Sequence, residues 1–190
     1  MADPPVLCAR HAFGLKGDVS SPIHYGDEAT TIYPCGHSVV LYNSEAKDQE
    51  LIPGLPQTKG ITALALAPSR KWLCVAERGL ETAQIGVYDV IHRKKKRVVQ
   101  YQDIQTDTIV HMAFSHDGKY LLTQGSGPEW TLVLWTFDKK TVKPVGSTRT
   151  SDGSRSRVRM ASFSPRDHGI IAASGDNGIL RFLRVQEHQF

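Results

Sequence analysis

Three places in the sequence hold residue types that could do chemistry. Gly125-Ser126-Gly127 sets a serine between glycines, but the frame is not the G-x-S-x-G spacing that exposes a nucleophile on a strained turn. Gly118-Lys119 has the ending of a phosphate loop. Tyr120 follows, however, where Ser or Thr would meet magnesium, and no glycine lies five residues before Gly118. His111, His116 and Asp117 are of metal-ligating type. His111 falls inside an apolar strand and His116 in the turn after it, so the pattern predicts one core or interface histidine and one surface histidine. Cys8, Cys35 and Cys74 are odd in number, far apart and form no C-x-x-C pair, which points to reduced thiols and no zinc knuckle. The expectation is a protein without catalytic residues, metal or cofactor, acting by binding.

The remaining chemical feature is charge. His92 is followed by Arg93, Lys94, Lys95, Lys96 and Arg97, five cations in a chain whose net charge is +4, so the rest of the chain nets −1. Such a run could be a nuclear signal, a nucleic-acid contact, a partner-docking loop or a solvated hairpin tip. A second cluster, Arg155, Arg157 and Arg159, lies far along the chain. A nucleic-acid surface would spread Lys and Arg along one face, so this distribution predicts no nucleic-acid partner. The start, Met-Ala-Asp-Pro-Pro, has neither a basic nor an apolar leader region, and no apolar run reaches the 18 residues of a membrane span. These features predict a soluble intracellular protein with no membrane partner.

The elements that must carry these residues repeat. Short strands SVVLYN, QIGVYDV, TLVLWTF and GILRFLRV each hold an aromatic, and Tyr42, Tyr88, Trp135 and Phe182 recur at intervals of 46, 47 and 47 residues. That is just above the ~40–45 residues of a four-stranded propeller blade. Upstream of the last three aromatics stand ITALALAPSRKWLCVA, IVHMAFSHDGKYLLTQ and VRMASFSPRDHGIIAAS, each a strand, a tight turn and a strand. In the middle copy, Ser115 and Asp117 can bond the turn backbone, and Gly118 can take positive φ. The strands are apolar at nearly every position, so both faces must be covered, as when blades stack. A β-sandwich would not repeat at one fixed period.

Each unit therefore reads as strands a, b, c and d, running from the inside outward. The blades are expected at about 15–57, 58–104, 105–152 and 153–190, together 1–190 as a partial all-β propeller of three and a half to four blades. In blade one, strand a is expected at Val19 to Tyr25, b at Ala29 to Tyr33 and c at Ser38 to Tyr42. Outer strands are expected at Arg97 to Tyr101 and at Val142 to Val145, where Pro144 fits only an edge. The extended stretch Leu7 to Phe13 has no blade of its own and is expected to close a last blade that lies beyond these residues. A ring usually needs about seven blades, so a fragment or truncated gene model is expected.

AFSHDGKYL, SFSPRD and Trp135 resemble the WD-repeat family. Departures are plain: no Gly-His opens a blade, and the acid that follows the strand-c aromatic survives only at Asp89, with Asn43, Thr136 and Leu183 elsewhere. The family's Asp-His-Ser-Trp hydrogen-bond network is thus expected to be absent, with Asp176 the sole candidate for its acid. RHAFGLKGDV, HYGDEATTIYPCGHSVVLYN, LIPG and MAFSHDGKYLL more closely resemble a WD-repeat family of cilia- and flagella-associated axonemal proteins, at the N-terminus of its members. The resemblance implies a non-catalytic scaffold of the motile cilium or flagellum in a large hetero-complex, with propellers followed by coiled coil. It also implies association with inner dynein arms or their regulatory complexes, and placement in the cytoplasm, cytoskeleton and axoneme. The alternative is a WD adaptor in an RNA-associated or ubiquitin-ligase complex.

Propeller topology puts a-b and c-d turns on one face and d-a connections on the other. Arg70, Lys71, Arg93, Lys94, Lys95, Lys96, Arg97, Lys139 and Lys140 should then form a basic rim across blades two and three, suited to an acidic partner such as tubulin. Arg155 to Arg159 should lie on the opposite face.

Overall fold

A computed structural model describes residues 11–100, 106–138, 141–150 and 157–185, with nothing stated of the Lys95, Lys96 and Asn177 side chains. Its strands group into four antiparallel sheets. Blade one holds β1 (His24–Tyr25), β2 (Thr30–Cys35), β3 (Ser38–Asn43) and β4 (Asp48–Pro53), and blade two holds β5 (Ile61–Leu66), β6 (Trp72–Glu77), β7 (Gln84–Asp89) and β8 (Lys94–Val99). Blade three holds β9 (Ile109–Phe114), β10 (Tyr120–Gly125), β11 (Thr131–Phe137) and β12 (Val142–Arg149), and blade four β13 (Val158–Phe163), β14 (Ile170–Gly175) and β15 (Leu180–Arg184). Every sheet follows chain order as a meander, and no α-helix occurs among the described residues.

The both-faces-buried pattern has a direct physical cause. Because side chains alternate across a strand, Ile61 and Leu64 of β5, Leu73 and Val75 of β6, and Tyr88 of β7 face blade one, packing against Ile32, Val39 and Leu41. Their neighbours Ala63, Ala65, Cys74, Ala76, Ile85 and Val87 face blade three, against Met112, Leu121, Val133 and Trp135. Blade three repeats the scheme, sending Leu122, Leu132 and Leu134 toward Val158, Ala161 and Ile171 of blade four. The core is therefore three apolar seams between stacked sheets.

Turns and edges follow local chemistry. Ser115 Oγ donates to Asp117 Oδ1 at 2.6 Å and accepts the Tyr120 N–H at 3.0 Å, and Gly118 sits at φ 70°. Pro144 lies on β12, the outermost strand of blade three, opposite Trp135 at a register shift. This is the edge position that a residue without an N–H requires.

Four details differ from the sequence reading. Strand a of blade one is broken: Ser21 takes φ 49°, so only His24–Tyr25 pair with β2, while Ser20 forms a parallel bridge to Ala63 of the next blade. The outer strand of blade two begins at Lys94, not Arg97. Only His92 and Arg93 of the basic run therefore lie at the hairpin tip, where Asp89 Oδ1 accepts the His92 N–H at 3.0 Å and Arg93 takes φ 55°; Lys94 to Arg97 run along the edge strand. An edge strand with a wet face tolerates lysines. The outer strand of blade three runs on to Arg149. Of Leu7 to Phe13, only His11 to Phe13 are described; they form no strand, and the Ala12 N–H donates to Gln49 of β4 at 2.7 Å. The rest of that stretch, and Tyr101, lie outside the described residues.

Candidate functional site

The face that gathers the rim is fixed by one hydrogen bond repeated in each blade. The first residue beyond strand c, or its last, donates its N–H to the residue just before strand b: Ser44 to Ala29 at 2.8 Å, Val90 to Lys71 at 2.9 Å, Phe137 to Lys119 at 2.7 Å and Val185 to Gly169 at 2.8 Å. The a-b and c-d turns thus share one end of every blade. Arg70 and Lys71 come together there with Arg93 and Lys94, and Arg97 follows on β8, half-buried opposite Val87. Lys139 and Lys140 lie outside the described residues, so the blade-three part of the rim is not on view.

The assembled cations are not equivalent. Asp89, buried at the end of β7, receives the His92 ring Nδ1 at 2.9 Å and lies 3.9 Å from Lys71 Nζ. Burial alone would raise the Asp89 pKa, but the His92 hydrogen bonds and the nearby His92 and Lys71 charges hold it below the usual carboxylate value. Lys71 also sits 5.6 Å over the Trp72 ring. Arg93 pairs with Glu50 on the outer strand of blade one. Arg70 and Lys94 are exposed. Asn43 does for blade one what Asp89 does for blade two, accepting the Glu45 and Ala46 N–H groups at 3.0 and 2.8 Å. The acid of the repeat is thus a turn-former, and an amide can stand in for it.

Part of the WD network survives. Trp135 Nε1 donates to Thr123 Oγ1 at 2.9 Å, both groups buried, with threonine in the serine position. Asp176 plays no part in such a network: it pairs with Arg159 at 2.5 Å, on an exposed surface. The Ser126 hydroxyl lies 3.2 Å from that of Thr106 and serves the turn there. His116 is exposed and His111 is buried, its Nδ1 3.5 Å from the Ala161 N–H of blade four.

Burial lowers the pKa of both His111 and His24, and His24 Nε2 has no hydrogen-bond partner among the described residues. In the unfolded chain each titrates near its ordinary value of about 6.5. Between that value and the lower folded one, the unfolded state binds more protons, so stability is full above pH ~6.5 and falls below it. Melting temperature should therefore drop between pH 7.5 and 5.5, and His111→Gln should reduce the drop. Equal melting temperatures at the two pH values would contradict this.

No family model matches the chain. Among curated proteins, cilia- and flagella-associated protein 57 of Mus musculus is 33% identical over 184 residues, 96% of this chain. The chain is similar to cilia- and flagella-associated protein 57 along nearly all its length. Form C of that protein from Tetrahymena thermophila is 25% identical over 186 residues, 93% of the chain. This chain spans 14% of each relative's length. The β-propeller domain of Cps50 (Swd1) from Myceliophteria thermophila superposes with a TM-score of 0.65, over 90% of this chain and 54% of that one, at 12% identity. It speaks for the fold alone, a WD-type propeller of which the described arc is about half.

The similarity agrees with the resemblance legible in the sequence, whereas two sets of residues escaped sequence reasoning. Glu77 is fully buried between blades one and two and bonded to His37, Leu55 and Thr58. Lys16, Lys59 and Arg78 join Arg157 and Arg159 on the face opposite the rim. Their signal in the sequence was position alone: Lys59 just precedes β5 and Arg78 just follows β6, both ends that topology places on that face.

Proposed function

We propose that the protein is a non-catalytic WD-repeat scaffold of the cilium or flagellum axoneme, a member of a large hetero-complex that docks inner dynein arms or their regulatory complexes to the doublet microtubule. The observation that carries this reading is similarity over 96% of the chain to a cilia- and flagella-associated protein, on a propeller fold. Its partners are then axonemal proteins, dynein-associated components or tubulin among them. Absence of catalysis is supported by the fold and by Ser126, whose hydroxyl serves a turn.

The contact on the partner is the basic rim: Arg70, Lys71, Arg93, Lys94, Lys95, Lys96, Arg97, Lys139 and Lys140. Two of these are partly committed inside the protein, Lys71 to Asp89 and Arg93 to Glu50, so the contact falls chiefly on Arg70 and the Lys94 to Lys96 run. Exposed pairs contribute roughly 0–1 kcal/mol each, so several must act together. With Lys94→Glu, Lys95→Glu and Lys96→Glu combined in the full-length protein, microtubule co-sedimentation should weaken about tenfold at low salt. Its salt dependence should also become shallower, since fewer ion pairs form. Unchanged affinity with an unchanged salt slope would reject the rim as the contact.

A further inference from the structure

The face opposite the rim holds a depression of about 740 Å³, formed where the inner strands begin. All four blades contribute: Lys16 to Ser20 from the first, Lys59 to Thr62 and Arg78 from the second, Thr108 to Val110 and Trp130 from the third, and Arg157 to Met160 from the fourth. Its wall carries five cations, Lys16, Lys59, Arg78, Arg157 and Arg159, against one carboxylate, Asp18. Two further acids, Asp107 and Asp176, pair with wall cations from just beyond the lining, so five cations meet three carboxylates and the surface keeps a net two positive charges, with Lys59 and Arg157 outside these pairs.

The cations flank a neutral centre. Lys59 and Arg78 stand on the blade-two side, Arg157 and Arg159 on the blade-four side, and between them lie Thr108, Ile109 and Val110 of blade three. Three of the five have neighbouring acids: Lys16 meets Asp18 at 2.5 Å, Arg78 Nε lies 3.7 Å from Asp107, and Arg159 meets Asp176 at 2.5 Å. The Asp18 side chain is 74% exposed, and Arg78 and Arg159 are about half and two-thirds exposed. Ion pairs so wetted are weak, and an incoming carboxylate can exchange into them. A concave surface with an excess of one sign also focuses the field and raises the local concentration of the opposite charge.

We propose that this mouth binds an extended acidic segment of a partner protein, a run of Asp and Glu whose carboxylates reach the blade-two cations at one end and the blade-four cations at the other. A single-stranded nucleic acid fits less well, because such sites stack successive bases on several aromatic rings, and Trp130 is the aromatic that lines this wall. The site lies on the opposite face from the rim and stands independently of it.

The test uses the full chain and a fluorescently labelled peptide of ten glutamates, with binding followed by anisotropy across a salt series. Lys59→Glu combined with Arg157→Glu, both exposed positions, should weaken binding at least tenfold. The charge-preserving Lys59→Arg with Arg157→Lys should bind within twofold of the unsubstituted protein. The Lys94→Glu, Lys95→Glu, Lys96→Glu variant should also stay within twofold, which separates this mouth from the rim. Arg78→Gln provides a second, uncharged probe and should weaken binding about threefold. No binding by the unsubstituted protein, equal losses from both faces, or tighter binding of a ten-nucleotide oligouridylate at the same mouth would each overturn the proposal.

Discussion

Glu77→Ala should lower the stability of the protein by about 3 kcal/mol or more, measured as the shift in denaturant midpoint at constant slope. Glu77 ends β6 with no exposed surface. Its carboxylate accepts the Leu55 N–H at 3.0 and 2.9 Å, lies 2.5 Å from the Thr58 hydroxyl and 2.8 Å from His37 Nε2. Leu55 and Thr58 belong to the connection between blades one and two, and His37 to the b-c turn of blade one. One carboxylate thus fastens a turn, a linker and the neighbouring blade. Its removal leaves buried donors unpaired, each at a cost of roughly 1–3 kcal/mol. Glu77→Gln should cost less than Glu77→Ala, because its amide oxygen still accepts, but more than nothing, because its NH2 meets a donor. The exposed Glu81→Gln should stay within about 0.5 kcal/mol. A loss below about 1 kcal/mol for Glu77→Ala would show that the cluster does not hold the two blades together.

Trp135→Ala should cost about 3–5 kcal/mol, the range for deleting a large buried aromatic. Trp135 is 1% exposed and fills the seam between blades two and three, while its Nε1 donates to Thr123. Trp135→Phe separates packing from the hydrogen bond. It keeps a ring in the seam but strands the buried Thr123 hydroxyl, so it should fall between the alanine variant and the native protein. Thr123→Val in the Trp135→Phe background should then cost less than Thr123→Val alone, by about 1 kcal/mol, since neither partner is left unmatched. Strict additivity of the two substitutions would contradict a coupled pair.

What could be read from the sequence, and what could not, follows from the range of the forces involved. Blades two and three were legible because strand alternation with both faces apolar, aromatics 47 residues apart, and a Ser-x-Asp-Gly turn are local signals that the fold reinforces. Pro144 marked an edge because a missing N–H has few places to go. The start of β8 was misplaced because lysines read alike in a solvated loop and on a solvated edge strand; only Asp89 closing its turn on His92 decides between them. Strand a of blade one failed at Ser21, whose positive φ no apolar pattern reveals. Thr123 escaped notice because threonine in a strand is ordinary until a tryptophan N–H points at it. Glu77 and the mouth residues were illegible for a different reason. A carboxylate at a strand end looks solvated, and Lys16, Lys59, Arg78 and Arg157 are brought together only by the stacking of blades.

The relationship to cilia- and flagella-associated proteins and the arc of blades lead to one direct measurement. The full-length protein, carrying a fluorescent tag at its natural expression level, is followed in motile ciliated cells through detergent removal of the membrane and then through stepwise salt extraction of the axonemes. A docked scaffold remains along the demembranated axoneme and leaves it in the salt range that also releases inner dynein arms. Recovery of the protein wholly in the detergent-soluble fraction, or its accumulation in the nucleus or cytosol with axonemes unlabelled, would contradict the account.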